Sequence, residues 1–207
     1  MLARQSLQSG WQNIPIVDGE LYYWPEFLSG READRSFRFL RENIVWHIPR
    51  INLFGNAIQS PRMAAWYGDA NAIYTYSGLT NHPLPWINEL SELKYRLEQE
   101  TQYQFNSVLA NLYRDGNDSM GWHSDNEPEL GVNPVIASMS LGGARRFVLR
   151  HKKRKAIKPV TIELAHGSLL LMSGETQNYW RHSIPKIRKP VASRINLTFR
   201  LVKNANS

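Results

Sequence analysis

From Phe105 to the end, the chain is a series of short apolar runs separated by turn residues. Residues 107–113, 135–141, 146–150, 160–164, 169–172 and 194–202 each have the length and composition of a strand. Gly142-Gly143-Ala144, between the second and third runs, is a hairpin signal, and His166-Gly167 separates the fourth from the fifth. So many short strands at this spacing predict a sandwich or jelly roll rather than a βαβ fold. There is no internal repeat and no low-complexity linker.

The last run, RINLTFRLV, alternates strictly. Arg194, Asn196, Thr198 and Arg200 fall on one face of a strand, and Ile195, Leu197 and Phe199 on the other. Arginines facing an interior are costly unless an anion meets them. A dicarboxylate would satisfy both, because guanidinium binds carboxylate through a planar fork. A polar outer face on an edge strand, or pairing with Asp or Glu, describes the same alternation and is the simpler reading of it.

His123 and Asp125 form a His-x-Asp pair in NLYRDGNDSMGWHSDNE (111–127), and His182 follows far downstream in YWRHSIP. Imidazole and carboxylate two residues apart can meet one metal ion when the backbone is extended or turning. Two His and one carboxylate make a facial triad, which leaves three positions open on octahedral Fe(II). A lone His-x-Asp pair equally describes a surface loop.

The first 104 residues are more helical. Residues 21–24 (LYYW) read as a strand. Ser29 and Glu32 fit a capping box, and Ala33, Phe37, Leu40 and Ile44 recur at helical spacing, predicting a helix over 29–43. A second helix is predicted over 85–102, with Pro85 in its first turn and Trp86, Leu90, Leu93 and Leu97 as its stripe. Between them, 51–80 is less regular and interleaves Phe54, Trp66, Tyr67, Tyr74 and Tyr76 with Arg62. Aromatic faces with a cation can stack bases and hold phosphate, and the same aromatics can be the core of a loop-rich subdomain. Tyr74 and Tyr76 alternate and would share one strand face. The expected division is 1–104, a helical extension with a lid at about 51–80, and 105–207, a β core, the two forming one compact unit. The helical half is expected to pack on one sheet and help frame the mouth.

The 207 residues suffice for a real core. With no cysteine there are no disulfides and no Cys-ligated metal, so a protein-bound metal must use His, Asp or Glu. No apolar run approaches a membrane span, and the N-terminus has no segment suited to secretion, so a soluble protein is expected, cytoplasmic, or nuclear in a eukaryote. Twenty-five Lys and Arg against 18 Asp and Glu give a net charge of +7, which favours polyanions. Arg145, Arg146, Arg150, Lys152, Lys153, Arg154, Lys155 and Lys158 crowd one stretch, either a solvated hairpin tip or a phosphate-contacting surface. His47, His82, His151 and His166 are read as surface or structural histidines, and a monomer is the default.

Together these residues resemble the AlkB-type Fe(II)/2-oxoglutarate-dependent dioxygenases that repair alkylated nucleic acid, in the branch of the human DNA-repair homologues. The matching run passes from FGNAIQSPRMAAWYGDANAIYTYSG through NLYRDGNDSMGWHSDNEPELG and SLGGARRFVLRHK to RHSIPK and RINLTFR, roughly 54–200. The His-x-Asp…His set with RxNxTFR is its most specific part.

The resemblance implies an α+β, mainly β, double-stranded β-helix (jelly roll) with N-terminal helices and a nucleotide-recognition lid. It implies Fe(II), 2-oxoglutarate and O2. His123, Asp125 and His182 resemble the iron ligands. Arg194 resembles the partner of the distal 2-oxoglutarate carboxylate, and Arg200 the arginine near the C1 end, with Asn111, Tyr113 and Thr198 as hydrogen-bonding partners. Tyr76 and His123 resemble the walls around a flipped base. Tyr74 and Ser77, with Thr75 between Tyr74 and Tyr76, would sit at its phosphate or sugar, and Glu127 at the base edge. Arg62, Trp66 and Tyr67 fall in the lid. Phe54-Gly55-Asn56 matches the finger that fills the gap left by an extruded base. Asn126 departs from a position often acidic in that branch, which bears on base preference and not on the iron chemistry.

The implied reaction is oxidative demethylation of N1-methyladenine and N3-methylcytosine in DNA, single- or double-stranded, releasing formaldehyde, succinate and CO2. Rival readings are the same chemistry on RNA, a small molecule or a protein side chain; a non-catalytic nucleic-acid-binding jelly roll; and a zinc hydrolase. The binding module gives no reason for the triad and both arginines, and the hydrolase has no need of RxNxTFR.

Overall fold

A computed structural model describes residues 10–53, 56–76 and 79–203. The described residues begin with β1 (Gln12–Asn13), β2 (Glu20–Trp24) and α1 (Gly30–Asn43). Next come β3 (Arg50–Leu53), β4 (Asn56–Gln59), β5 (Met63–Gly68), β6 (Tyr74–Tyr76), β7 (Leu79–Asn81) and α2 (Asn88–Thr101). The second half runs β8 (Ser107–Tyr113), β9 (Met120–His123), β10 (Ile136–Gly142), β11 (Arg145–His151), β12 (Val160–Leu164) and β13 (Ser168–Ser173). The short α3 (Thr176–Tyr179), β14 (Trp180–Ile184) and β15 (Arg194–Arg200) complete it.

Two antiparallel sheets form the core. The larger has the order β1-β2-β13-β10-β15-β8-β5 and the smaller β12-β11-β14-β9. This is the expected jelly roll. The hairpin expected at Gly142-Gly143-Ala144 is absent: β10 pairs with β13 and β15 in the larger sheet, while β11 pairs with β12 and β14 in the smaller one. These glycines serve a crossover between sheets. Gly142 has φ 88°, and a Cβ on Gly143 would lie 2.3 Å from Ala192 O, so both permit close passage of the 192–193 backbone.

The segment 51–80 is more regular than its composition suggested. It holds two small hairpins, β3–β4 and β6–β7, and between them β5, which pairs with β8 as an edge of the larger sheet. β1, β2 and β5 thus share one sheet with strands of the second half, so a division at 104/105 cuts across a single sheet.

α1 starts as expected. The Ser29 side chain accepts from Glu32 N, and the Glu32 carboxylate accepts from Ser29 N, 2.8 Å away. α2 is shorter than expected, beginning at Asn88 with Ile87 as its N-cap. Pro85 lies outside it because Leu84 runs beside β5, donating to Trp66 O and accepting from Gly68 N. Leu90, Leu93 and Leu97 are its buried stripe, while Trp86 is only half-buried. No helix among the described residues is long and apolar enough to cross a membrane.

The period of two along each strand separates two cores. Val108, Ala110, Ala137, Met139, Leu197 and Phe199 pack with Ala33, Leu40, Leu90 and Leu97 of the helices. Ile136, Leu170, Met172, Phe147, Leu149 and Trp180 pack between the sheets. The helices therefore cover the back of the larger sheet. They do not frame the mouth, because the cavity lies on the sheet's other face.

Candidate active site

His123 ends β9, and His182 stands opposite it on β14 as its register partner. Their Nε2 atoms are 3.1 Å apart, and Asp125 Oδ2 lies 3.7 Å from His182 Nε2. One ligand atom from each of the three residues falls within 4.8 Å of the others. His123 Nδ1 lies 2.9 Å from Gly121 O, a contact that orients the ring and turns Nε2 toward His182.

His182 and Asp125 are buried. Burial, followed by the charge of His123, pushes the His182 imidazole down to about 3, so it is neutral at physiological pH. Burial works to raise the Asp125 carboxyl, but the Arg200 guanidinium, with His182 and His123, holds it below its ordinary range. Two imidazole nitrogens and one carboxylate converging on one point suit a divalent cation, and with no further ligand in the cluster among the described residues they suit Fe(II) in a facial triad.

The polar face of β15 points at the same place. Arg194, Asn196, Thr198 and Arg200 are 1, 8, 7 and 4% exposed and line a cavity of about 420 Å3, partly open to solvent, together with His123, Asp125 and His182. β15 lies between β10 and β8, so the edge-strand reading of its alternation does not hold. The pairing alternative holds for one arginine: Arg200 Nη2 donates to Asp125 Oδ1 at 2.6 Å. Arg194 Nη2 donates to Ser140 Oγ at 2.9 Å, while its buried Nε and Nη1 meet no hydrogen-bond acceptor among the described residues. Burial lowers this guanidinium to about 10. A buried cation with two unanswered N–H donors beside the triad fits a carboxylate ligand.

Tyr113, register partner of Arg194, has the guanidinium carbons of Arg194 and Arg145 at 5.2 and 5.3 Å from its ring centre. Asn111 is the partner of Asn196, and its Oδ1 accepts from Arg62 Nε at 2.8 Å. Thr198 Oγ1 donates to Asn196 Oδ1. Asn111, Tyr113 and Thr198 all line the cavity, as do Ser138 and Met172, which sequence reasoning did not single out. The alternation of Ser138 and Ser140 along β10 was the available signal.

The expected substrate residues divide. Arg62 is buried and reaches Asn111 beside the cavity. Trp66 and Tyr67 belong to β5 and not to a lid, and both are buried. The Trp66 indole donates to Ala72 O and packs between the sheets. Tyr67 packs with the helices on the opposite face, where its hydroxyl accepts from Val45 N. Both fill cores, because β5 completes the sheet. Glu127 Oε2 is buried with no hydrogen-bond partner among the described residues. Tyr74, Thr75 and Tyr76 form β6, and Asn56 opens β4. Phe54, Gly55 and Ser77 lie outside the described residues.

The basic stretch is not one surface. Arg145 is 1% exposed and donates to the carbonyls of Asp115, Asp118 and Pro185. Lys152 donates to Gln177 O, and Arg154 lies 3.4 Å from Asp18. Arg146, Lys155 and Lys158 are exposed. Among the remaining histidines, His151 is buried against Tyr179 and Trp180 and bonds Asp18, and His166 accepts from Gly142 N, both structural roles.

The match to known proteins covers most of this architecture, from β2 to β15. Residues 20–200 fit the 2OG-Fe(II) oxygenase superfamily. The chain is 41% identical over 180 residues to the mouse protein named DNA oxidative demethylase ALKBH2, covering 83% of this chain and 75% of that protein. It is 42% identical to human ALKBH2, over 83% of this chain and 69% of that one. It is also 42% identical to human alpha-ketoglutarate-dependent dioxygenase alkB homolog 3, over 86% of this chain and 65% of that one. The solved structure of OsALKBH1 superposes with a TM-score of 0.62 at 17% identity, covering 92% of this chain and all of that one, and shares the fold. A buried His-Asp-His cluster facing an arginine-bearing strand inside a jelly roll, over a sequence matched from 20 to 200, makes this chain a member of the 2OG-Fe(II) oxygenase superfamily, a dioxygenase that uses Fe(II), 2-oxoglutarate and O2.

Proposed function

We propose that this enzyme oxidatively demethylates N-alkylated bases in DNA, N1-methyladenine and N3-methylcytosine above all. The observation that carries the reading is the convergence of His123, Asp125 and His182 in one cavity with Arg194 and Arg200. The names of the relatives at 41–42% identity supply the substrate class.

In this reading His123, Asp125 and His182 hold the iron. Arg194 takes the distal carboxylate of 2-oxoglutarate on Nε and Nη1, and Arg200, with Asn111, Tyr113 and Thr198, forms the polar wall near its other end. Once bound, iron and 2-oxoglutarate supply the O2-dependent oxidation of the methyl C–H bond, with release of formaldehyde, succinate and CO2. The protein contributes position and charge. Burial keeps His182 neutral and able to donate its lone pair, and Arg200 keeps Asp125 ionised. The cavity, only partly open to solvent, limits water at the reacting carbon.

A methyl on the pairing edge is hidden in the duplex, so the base must be flipped out, and its broken pairing lowers that cost. Both lesions are cationic, which suits stacking against Tyr76 and His123 and a carboxylate at the base edge. Glu127 fills the last role, supported by its buried Oε2, which has no hydrogen-bond partner among the described residues. Tyr74, Thr75 and Ser77 attend the flipped nucleotide's backbone, Arg62 supports the wall through Asn111, and Phe54-Gly55-Asn56 occupies the gap in the stack.

The test uses purified protein, Fe(II), ascorbate and a methylated oligonucleotide, with and without 2-oxoglutarate, read by mass spectrometry. Loss of one methyl that requires both iron and 2-oxoglutarate is expected. Methyl loss confined to an RNA oligonucleotide would reject DNA as substrate. Succinate formed with no demethylation of either would reject nucleic-acid repair and keep the oxygenase.

A further inference from the structure

We infer that Gln177 is a positioning residue for Asp125, and that its side-chain carbonyl sets how tightly the His-Asp-His cluster holds a divalent metal. The inference rests on the assignment of Asp125 as a metal ligand.

The need for such a residue comes from the topology. His123 and His182 are held by strand pairing, as register partners on β9 and β14. β9 ends at His123, and the next regular element is the 3-10 turn Pro128–Leu130. Asp125 therefore lies beyond the ladder, and the pairing of β9 with β14 is itself irregular, with a register shift between His182 and Ile184. Backbone pairing places two members of the cluster and leaves the third to side chains.

Two side-chain bonds take up that task, both to the segment that leads into His182. Asp125 N donates to Gln177 Oε1 at 3.0 Å, and Ser124 Oγ donates to Trp180 O at 2.8 Å. Gln177 is 1% exposed. Its Nε2 donates to Met172 Sδ at 3.4 Å, which turns the carbonyl oxygen toward Asp125. Its backbone carbonyl accepts from Lys152 Nζ at 2.8 Å. Its neighbour Thr176 donates to Ser173 O and accepts from Glu20 N, so the short helix carrying Gln177 is fastened to β13 and β2. The reference point is thus rigid, and the Asp125 amide is buried against it.

Removing the acceptor would leave a buried N–H unanswered and release the turn that carries the carboxylate. Groups that orient metal ligands from behind change metal affinity by about 10–100-fold when lost. Gln177→Leu keeps the side chain's bulk and deletes the acceptor. Gln177→Glu keeps an acceptor oxygen at the same reach.

The experiment titrates metal-free protein with Mn(II) and records the Co(II) visible spectrum, for wild type, Asp125→Ala, Gln177→Leu and Gln177→Glu, with thermal unfolding as a fold check. The expected result is that Gln177→Leu weakens Mn(II) binding by about 10–100-fold and alters the Co(II) bands, while Gln177→Glu stays close to wild type. Wild-type affinity and spectrum in a folded Gln177→Leu would overturn the inference, as would a Gln177→Glu as weak as Gln177→Leu. Should Gln177→Leu fail to fold, Gln177→Asn withdraws the acceptor by one methylene and carries the same expectation, and wild-type affinity there overturns it. An Asp125→Ala that binds like wild type would instead remove the ligand assignment beneath it.

Discussion

Asp125 Oδ1 lies 2.6 Å from Arg200 Nη2, and the two side chains are only 4 and 5% exposed. The carboxylate of the candidate metal cluster is thus also half of a buried ion pair. Removing one partner of such a pair leaves an uncompensated charge, at about 3–5 kcal/mol. Arg200→Met is expected to lower the stability of the metal-free protein by that order. Mn(II), as an alternative partner for Asp125, should then raise the melting temperature of the variant more than that of wild type. Equal Mn(II)-induced shifts in the two proteins would refute the coupling.

His123→Ala removes one of three ligand atoms that lie within 4.8 Å of one another. Loss of Mn(II) binding by calorimetry is expected, along with loss of 2-oxoglutarate turnover that added iron does not restore. Turnover surviving in this variant would show that His123 is not a ligand.

Arg194→Met deletes the guanidinium with two unanswered N–H donors. Charge-assisted hydrogen bonds contribute about 1.5–3 kcal/mol each, so the KM for 2-oxoglutarate should rise by at least about tenfold. Arg194→Lys should recover little, because an ammonium lacks the planar fork. Steady-state succinate formation against 2-oxoglutarate concentration measures both.

Ser29, first through its side chain and then its backbone N–H, holds the Glu32 carboxyl down to about 2, with Arg96 adding to the effect. A depressed folded-state value makes this contribution fully present above the ordinary carboxylate range near 4.5 and lost as the pH falls toward about 2. Ser29→Ala should cost about 1 kcal/mol at neutral pH, since the cap is partly exposed, and the difference from wild type should shrink below pH 4. Urea unfolding at pH 7 and pH 3 tests the sign.

Arg145 and Lys158 belong to one basic run but should respond oppositely to substitution. Arg145 is buried on three carbonyls, so Arg145→Ala is expected to lower the melting temperature by several degrees. Replacing exposed Arg146, Lys155 and Lys158 with neutral residues should leave stability nearly unchanged. If these three contact phosphate, the salt slope of DNA binding falls as well.

Much of the site was legible because its signals are short-range. The His-x-Asp pair and the alternation of Arg194, Asn196, Thr198 and Arg200 each depend on a few consecutive residues, and a strand's period of two carries that pattern unchanged into the fold. Gln177 was not legible, since a lone glutamine before an aromatic run has no pattern of its own. Its meaning comes from a bond to Asp125, 52 residues away.

Alternation along a strand, the capping box at Ser29 and Glu32 and the apolar stripe of α2 were determined by sequence alone, because local sterics and hydrogen bonding suffice for them. Which sheet each strand joins was decided by tertiary structure. Gly142-Gly143 reads as a turn, and only the close passage of 192–193 makes it a crossover. Trp66 and Tyr67 read alike as aromatics of a lid, and only the place of β5 beside β8 sends one between the sheets and the other against the helices. His123 and His182, 59 residues apart, meet only because antiparallel pairing of β9 with β14 brings them opposite one another. Such pairings depend on packing the chain as a whole, and no local pattern encodes them.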